Sequence, residues 1–490
     1  MHRSRRVGAL VASLAVAAAV AVIAPSGATA EPQLHRTLDP NAVTESVRYL
    51  VKTYGVSERE ALRRLQLQDD ATRLDQALRT RATYGGMWLD HNAGGVLVVA
   101  MTAPADADRY IDALPDRKNV RTQAVRYSLA DLNAARDRVA ARVGAGPQAV
   151  HLPAVSESEN RVVVWERGWV AAEKRTRRAA EVTAESENAR TAIAAEPADL
   201  VVQRTLVKPE PMATPNVDWG FCHPLYCTGY GPMRGGLRLD MRRDNGTWGG
   251  CTAGFNLRST GGGFPGKPWV LTAGHCMATK TNNVPTQHNG TSVLQQHGIE
   301  KNSYPYDYAA LPYVDQATAN TWLENHTNRN RVLKYCRNGG MDSNADTPCG
   351  QQATSVDEYI TGTRSLAEVK AGWVVCATGS GSSAVNYPDS YDSGAGEGYL
   401  VGTRCGRVLS TDVGINTDIC ARAGDSGGPL FSQVDHTALG ILEGSQQARS
   451  GACQAGELNN YVPISTVLED LNARIAGQGS VFSVITTPNG

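Results

Sequence analysis

The sequence predicts an all-β C-terminal part preceded by a small α+β domain. From about residue 230 onward, short apolar runs such as PWVLTAGHC, AGWVVCATG and HTALGILEG are separated by Gly, Asn and Pro turns. This pattern is typical of an antiparallel barrel or sandwich. The ten cysteines all lie between Cys222 and Cys453. The chain is long enough for two or three domains. The cysteines divide it into a cysteine-free N-terminal part and a cysteine-bearing C-terminal part.

Helical and hairpin patterns alternate in the cysteine-free part. SERE at Ser57–Glu60 is a capping-box pattern, and the leucines that follow it recur at helical spacing. The segment GGMWLDHNAGGVLVVAMT predicts a β-hairpin, because two apolar runs flank Asn92-Ala93-Gly94-Gly95. Further helical patterns follow in APADADRYIDAL and SLADLNAARDRVAARV. We interpret residues 31–170 as an α+β domain.

The composition changes between residues 171 and 230. An Ala-, Glu- and Arg-rich run here fits either a helix or a solvated linker, and the connector VKPEPMATP follows it. We therefore predict a linker and processing region over 171–230 and the all-β domain over 231–490. The segment STVLEDLNARIA predicts one helix near the end of that domain.

The first thirty residues have the three parts of a secretory signal peptide. MHRSRR is positively charged, an apolar run follows, and Ala28-Thr29-Ala30 is a cleavage pattern of small residues. A membrane anchor is the alternative, but the run is short for a span and ends at a cleavage pattern. We expect a secreted, extracellular protein with no membrane association in its mature form.

Charge and cysteine content restrict the function further. The chain has 48 basic residues (Lys and Arg) and 48 acidic residues (Asp and Glu), so its formal net charge is zero. This balance gives no reason to expect a nucleic-acid partner. In an exported chain, an even number of cysteines indicates disulfide bonds. A metal site is the alternative, but the chain has no Cys-x2-Cys pair with histidines nearby. We expect neither a metal nor a cofactor.

The segment RAGDSGGPLF places Ser426 among three glycines. It is either a nucleophile or part of an ordinary glycine-rich turn. A serine hydroxyl needs a base to take its proton and a third group to orient that base. His275 ends the apolar run WVLTAGHC, and Asp307 enters the apolar run DYAAL. Each of these residues alone is weak evidence for catalysis. Together, in the chain order His275, Asp307, Ser426, they indicate a catalytic triad.

GDSGG also fits the Gly-x-Ser-x-Gly pattern of the α/β-hydrolase nucleophile elbow. That fold requires the order serine, acid, histidine. His436 is the only histidine after Ser426 and lies ten residues from it. The C-terminal part also lacks alternating strand and helix patterns, so we reject this alternative.

The segments LTAGHC, DYAAL and GDSGGP resemble the three signature segments of the chymotrypsin-like serine peptidases. The nearest resemblance is to the streptogrisin and α-lytic protease branch, through CTAGFNL, the pair VVCATGSGS and GTRCGRV, and the cysteine spacing of CARAGDSGG. The segment YGVSEREALRRLQ and the hairpin after it resemble the pro-region of the same branch. The resemblance covers most of residues 40–130 and 235–475.

This resemblance implies a trypsin-like fold of two six-stranded antiparallel β-barrels with the site between them. His275 would act as general base and then general acid, Asp307 would orient it, and Ser426 would be the nucleophile. The backbone N–H groups of Gly424 and Ser426 would form the oxyanion hole. Asp425 would have a structural role.

Disulfide pairings follow in part from the resemblance. It implies three pairs, Cys251–Cys276, Cys376–Cys405 and Cys420–Cys453. The remaining cysteines are paired by spacing alone, as Cys336–Cys349 and Cys222–Cys227.

Three positions bear on the substrate pocket, namely Asp418, Glu443 and Gly444. Glu443 stands where the family usually has a serine, and it would contact either the pocket or the His275–Asp307 pair. Asp418 is either an acid at the pocket base, which would favour Arg or Lys before the cleaved bond, or a surface-loop acid. The residue preference stays open, and segment 313–350 has no assigned role.

We therefore expect a secreted serine endopeptidase made as a precursor, whose pro-region assists folding, inhibits the enzyme and is cleaved between about 170 and 235. The expected partners of this monomer are protein or peptide substrates and its own pro-region. One alternative is a non-catalytic binding protein on the same fold, although such proteins usually lose a triad member. Another is a permanent N-terminal binding module.

Overall fold

The computed structural model describes residues 35–144, 149–211, 232–277, 281–323, 330–334, 357–381, 403–447 and 453–487. We call residues 35–211 the N-terminal region and residues 232–487 the C-terminal region. The predicted signal peptide and the pairs Cys222–Cys227 and Cys336–Cys349 lie outside the described residues, as does most of segment 313–350.

Helices and short strands alternate in the N-terminal region. Its helices are α1 (Thr44–Tyr54), α2 (Glu58–Leu78), α3 (Asp108–Asp112), α4 (Leu129–Val143) and α5 (Gly168–Ala194), which is kinked at Arg178. Its strands are β1 (Tyr84–Asp90), β2 (Val96–Met101), β3 (Val120–Ala124), β4 (His151–Ser156), β5 (Arg161–Glu166), β6 (Val201–Thr205) and β7 (Glu210–Pro211). Ser57 caps α2 by accepting a hydrogen bond from the backbone of Glu60, where the capping pattern stands.

The N-terminal region contains one topology twice. An antiparallel hairpin β1–β2 is followed by α3 and by β3, which lies parallel to β2. The hairpin β4–β5 is likewise followed by α5 and by β6, which lies parallel to β5. The expected linker over 171–230 was therefore wrong for residues 171–205. These residues form a helix and a strand whose apolar side chains pack against α4 and β5.

The C-terminal region consists mainly of strands. They are β8 (Arg238–Arg242), β9 (Trp248–Thr252), β10 (Asn256–Thr260), β11 (Pro268–Thr272), β12 (Thr286–His288), β13 (Thr291–Leu294), β14 (Ile299–Ser303), β15 (Tyr306–Pro312), β16 (Arg331–Val332), β17 (Glu358–Tyr359), β18 (Gly362–Thr363), β19 (Val374–Ala377), β20 (Arg404–Ser410), β21 (Ile415–Thr417), β22 (Pro429–Ser432), β23 (Thr437–Ser445), β24 (Asn459–Pro463) and β25 (Val481–Val484). Two helices accompany them, α6 (Gln316–Trp322) and the predicted terminal helix α7 (Ile464–Ile475).

Six of these strands close a barrel. The order β23-β22-β19-β20-β21-β24 returns to β23, because β23 also pairs with β24. Strands β8 to β15, together with the last strand β25, form a four-stranded sheet, β13-β12-β8-β9, and a five-stranded sheet, β14-β15-β11-β10-β25. A bridge between Leu294 and Tyr313 joins these two sheets. The predicted all-β class with a preceding α+β part is confirmed, and the first of the two expected barrels is an open one.

The two regions share a hydrophobic core. Leu74, Met87 and Met101 of the N-terminal region belong to the same buried cluster as Trp373 and Leu442 of the closed barrel. A buried cation crosses the same boundary, because Lys370 Nζ lies 2.7 Å from Glu157 Oε1 and 3.2 Å from Asp75 Oδ1. The boundary is thus packed like an interior and not like a loose contact between domains.

No helix among the described residues is both long enough and apolar enough to cross a membrane.

Candidate active site

His275 is positioned by a strand that ends in a tight turn. All five residues of β11 are buried, and a 3₁₀ turn over Gly274–Met277 follows it. A Cβ atom on Gly274 would lie 2.0 Å from the carbonyl oxygen of Lys301 and 2.9 Å from that of Tyr308. Only glycine therefore lets this turn approach β14 and β15 closely enough to bring His275 beside them.

Ser426 lies on a glycine-rich turn between residues 421 and 428. Gly424 and Gly427 have φ angles of +99° and +82°, which residues with side chains disfavour. A Cβ atom on Gly427 would lie 2.1 Å from Thr272 Oγ1, so this turn packs directly on the end of β11. The carbonyl oxygen of Ser426 accepts a hydrogen bond from the backbone of Thr252. The turn that carries Ser426 therefore packs against β11, the strand that leads to His275.

The three predicted side chains form one hydrogen-bonded chain. His275 Nδ1 lies 2.5 Å from Asp307 Oδ2, and His275 Nε2 lies 2.8 Å from Ser426 Oγ. The other oxygen of Asp307 accepts the backbone N–H of His275 at 2.7 Å. Because an ionised carboxylate can only accept, Nδ1 carries the proton of the neutral ring and Nε2 accepts from the serine hydroxyl. The arrangement fits removal of the Ser426 proton by His275.

Burial limits water at this chain of contacts. The side chains of His275 and Asp307 are 7% and 4% exposed, and Ser426 is fully buried. The backbone N–H groups of Gly424 and Ser426 have no hydrogen-bond acceptor among the described residues. Two unpaired donors beside a serine oxygen are the elements of an anion-stabilising site.

Asp425 is the anchor of the serine turn. Its carboxylate accepts the backbone N–H groups of Gly381 at 2.7 Å and Arg422 at 2.9 Å. Arg404 Nη2 lies 3.5 Å from its Oδ2. Burial raises the pKa of Asp425, and Arg404 opposes that shift. The sequence analysis did not single out Arg404, which lies in β20, next to Cys405, and reaches the turn only through the pairing of β19 with β20.

Three disulfide bonds surround the site. Cys251–Cys276 ties the residue after His275 to β9, Cys420–Cys453 closes the start of the serine turn, and Cys376–Cys405 links β19 to β20. These are the three pairs that the resemblance implied. In the described part of the chain, every cysteine is bonded.

The three pocket candidates have different surroundings. Asp418 accepts the backbone N–H of Arg407 at 2.7 Å and the hydroxyl of Tyr49 in α1 at 3.0 Å, so its carboxylate faces the N-terminal region. Gly444 pairs with Pro211 of β7. None of the three candidates lines the small cavity behind the serine turn. That cavity is lined by Ala377, Thr378, Arg404, Cys420, Ala421, Asp425, Gly428, Leu442 and Tyr461. Asp418 is therefore partly buried against the N-terminal region and does not line this cavity.

Glu443 lies in the interior beside Asp307. It occupies a bulge of β23, because Leu442 and Gly444 on either side pair with consecutive residues of β24. Its Oε2 is buried and has no hydrogen-bond partner in the described part of the chain. Burial and the nearby Asp307 carboxylate raise the pKa of Glu443 well above its usual value, and Arg167 lowers it.

Comparison with known proteins identifies the β-rich part. Residues 241–469 match the family model described as Trypsin. We call residues 241–469 the trypsin domain, after the family that they resemble. Streptogrisin-D from Streptomyces griseus is 29% identical to this chain over 226 residues, which is 46% of this chain and 44% of that protein. The chain thus spans less than half the length of this curated relative.

Solved structures matched by the chain include bacterial proteases. Thermobifida fusca Protease A is 19% identical with a TM-score of 0.30, over 52% of this chain and 98% of that chain. Nocardiopsis Protease is 18% identical with a TM-score of 0.29, over 51% of this chain and 98% of that chain. The family match and Streptogrisin-D agree with the streptogrisin and α-lytic protease branch expected from the sequence.

The N-terminal region contacts the trypsin domain through Arg167, a residue that the sequence did not indicate as functional. Arg167, between β5 and α5, is fully buried, and its Nη1 donates to the carbonyl oxygen of Tyr304 at 2.6 Å. Tyr304 stands three residues before Asp307. No motif in the sequence surrounds Arg167, so no local pattern indicated that it reaches the site.

Proposed function

We propose that the trypsin domain is a serine endopeptidase that hydrolyses peptide bonds through an acyl-enzyme. The observation that supports this most directly is the chain of contacts from Asp307 through His275 to Ser426, at 2.5 and 2.8 Å. The roles of the three side chains are part of the proposal. No cofactor is required for this chemistry.

In the first step, Ser426 Oγ attacks the substrate carbonyl carbon while His275 Nε2 takes the hydroxyl proton. Asp307 keeps the Nδ1 tautomer and stabilises the imidazolium. The negative oxygen of the tetrahedral intermediate receives hydrogen bonds from the N–H groups of Gly424 and Ser426. The intermediate then collapses, His275 gives its proton to the departing amine, and the acyl group stays on Ser426. Water attacks the ester in the second half-reaction, with the same residues in the same roles.

The N-terminal region would act as an inhibitory pro-region. Strand β7 pairs with β23 through Pro211 opposite Gly444 and Glu210 opposite Ser445. A peptide bound as an added strand gains main-chain hydrogen bonds along a sheet edge. Because β7 occupies this part of β23, a substrate strand cannot pair there until β7 leaves.

The same region would assist folding of the trypsin domain. The domain is rich in long-range strand pairings, which make folding slow. Apolar residues of α2 and β1–β2 complete a core with the closed barrel, so the N-terminal region provides a surface on which the barrel strands assemble. We propose cleavage beyond Pro211, the last residue of β7, and before about residue 235, because β7 can leave β23 only when it is cut from the trypsin domain.

Secretion is the setting that fits this proposal. The three disulfides require an oxidising compartment. The first thirty residues have the pattern of a cleaved secretory signal.

A fluorophosphonate probe tests the function, because it reacts with an activated serine. The secreted product would be labelled before and after denaturation, and the modified peptide and the N-terminus would be mapped by mass spectrometry. We expect label on Ser426 of the native protein only, an N-terminus beyond Pro211, and no peptide hydrolysis by Ser426→Ala. Native, fully processed protein that neither takes the label nor cleaves peptides would favour the non-catalytic binding protein. A secreted product that keeps the N-terminal region would favour a permanent domain.

A further inference from the structure

Glu443 is a buried acid for which the triad chemistry has no use. It lies in β23 between Leu442 and Gly444, and its Oε2 has no hydrogen-bond partner among the described residues. A buried carboxyl oxygen without a hydrogen bond is costly. The site therefore favours a ligand that brings a positive charge or a hydrogen-bond donor to this oxygen.

The N-terminal region brings a positive charge to the same place. Arg167 is fully buried against the trypsin domain and donates to the carbonyl oxygen of Tyr304. Glu443 and Arg167 influence each other electrostatically, and Tyr304 is influenced by both. The guanidinium thus lies among the groups that surround Glu443, although it forms no salt bridge with it at 4 Å or less.

A peptide strand already lies along the neighbouring part of β23. Gly444 and Ser445 pair with Pro211 and Glu210, and this strand precedes the trypsin domain in the chain. A segment that is N-terminal to the processing point corresponds to the acyl side of a cleaved peptide. Side chains on the acyl side of a substrate bound along β23 therefore pass close to Glu443.

We propose that Glu443 is the receptor for a basic side chain on the acyl side of the substrate, and that the nearby Arg167 lies among the groups around it in the precursor. This inference rests on the proposed peptidase function. The substrate class is a peptide or protein with Arg or Lys at one position before the cleaved bond. A guanidinium that approaches Oε2 supplies both the missing donor and the opposite charge. Departure of Arg167 with the N-terminal region leaves this receptor open.

Matched peptides test the inference with the mature enzyme obtained by processing of the full chain. Quenched fluorescent peptides carry Arg or the neutral isostere citrulline at each of the four positions before the cleaved bond, and kcat/KM is measured for every pair. We expect at least a tenfold preference for Arg at one position. Glu443→Gln keeps the shape and removes the charge, so the preference at that position should fall to about twofold or less.

Asp418→Asn is the matched control, since it also removes one carboxylate charge from the trypsin domain. The preference of Asp418→Asn for Arg over citrulline should equal that of the wild type. The inference is overturned if the preference survives in Glu443→Gln, if it disappears in Asp418→Asn instead, or if the wild type shows none at any position. Where Glu443→Gln yields no folded enzyme, Glu443→Ser, which carries the residue usual at this position in the resembling family, takes its place. Loss of the preference in Glu443→Ser supports the inference, and a preference that survives in it overturns the inference.

Failure of the proposed function has a different signature. In that case no peptide is hydrolysed and native Ser426 takes no fluorophosphonate label, so the inference falls with it. Labelled enzyme that cleaves Arg and citrulline peptides equally well keeps the peptidase function and removes only the role of Glu443.

Discussion

Gln68 places both polar atoms of its side-chain amide on the backbone of Val374. Its Oε1 accepts the N–H of Val374 at 2.7 Å, and its Nε2 donates to the carbonyl oxygen at 3.0 Å. Strand β22 pairs with β19 only at Cys376 and Ala377, so the start of β19 lacks a strand partner on that side. Helix α2 of the N-terminal region therefore satisfies backbone groups that the barrel leaves open.

Gln68→Ala should destabilise the precursor, because it leaves a buried N–H and a buried carbonyl without partners. We expect the free energy of unfolding to fall by about 2–4 kcal/mol, the cost of two unsatisfied groups. Urea unfolding of the full chain carrying Ser426→Ala, which prevents self-cleavage, measures the change. Gln76→Ala is the control, since Gln76 is an exposed residue of the same helix. Equal losses for the two variants would contradict this role of Gln68.

Local sequence patterns predicted the elements whose signals are contiguous. The segments around His275 and Ser426 each contain a glycine next to the functional residue, and the structure gives both glycines a reason in close backbone packing. The terminal helix, the first hairpin and the all-β character of the second half also follow from short-range periodicity. Such features depend on neighbours in the chain and are therefore visible in it.

Features that depend on distant pairing were missed. Strand β6 is a short run that becomes a strand only because β5 lies beside it, so residues 171–205 resembled a linker. Arg167 reaches Tyr304 across 137 residues of sequence, and Tyr49 reaches Asp418 across 369. No periodicity records contacts of this kind. For the same reason the surroundings of Asp418 could not be decided from its position near Cys420.

Removal of the disulfide next to His275 should reduce both stability and activity. Cys251–Cys276 closes a loop with a sequence separation of 25, for which the chain-entropy model gives a loss of about 3 kcal/mol when both residues become alanine. Release of Cys276 also frees the residue after His275, so kcat/KM should fall further than stability alone explains. Peptide hydrolysis and urea unfolding measure the two effects.

The Cys376–Cys405 bond is the control for that experiment, with a separation of 29. Its removal should cost about the same free energy of unfolding. If both double variants, measured under conditions where each is folded, lose activity equally, then the bond at Cys276 has no special effect on His275.

Gly424→Ala should abolish most of the activity of a folded enzyme. The φ angle of +99° disfavours a side chain, so the backbone turns away and its N–H leaves the position where the oxyanion forms. Loss of one such donor lowers kcat by roughly 10²–10³. Peptide hydrolysis measures the loss, and Gly477→Ala is the control because a Cβ there has no atom within 4 Å. Activity of Gly424→Ala within a few-fold of the control would contradict a role for this N–H.

The precursor should lose stability as the pH falls through the range in which histidine titrates. His91 is 3% exposed, and its Nε2 donates to the carbonyl oxygen of Gly372 at 2.7 Å, while its Nδ1 is buried without a hydrogen-bond partner among the described residues. Burial, with smaller effects from Arg64 and Arg407, lowers the pKa of His91 to about 4 from an ordinary value of 6.5. As the pH falls, His91 is therefore protonated in the unfolded chain at a higher pH than in the folded protein.

The contribution of His91 to stability is present above about pH 6.5 and is lost as the pH falls toward 4. Between pH 7 and pH 4.5 the shift corresponds to about 2 kcal/mol of unfolding free energy. His91→Gln keeps a donor for Gly372 and does not titrate, so its loss of stability over this interval should be smaller by about that amount. Urea unfolding of the Ser426→Ala chain at both pH values measures it, with His297→Gln, at a half-exposed histidine, as control. A pH dependence that His91→Gln leaves unchanged would assign the acid sensitivity to other groups.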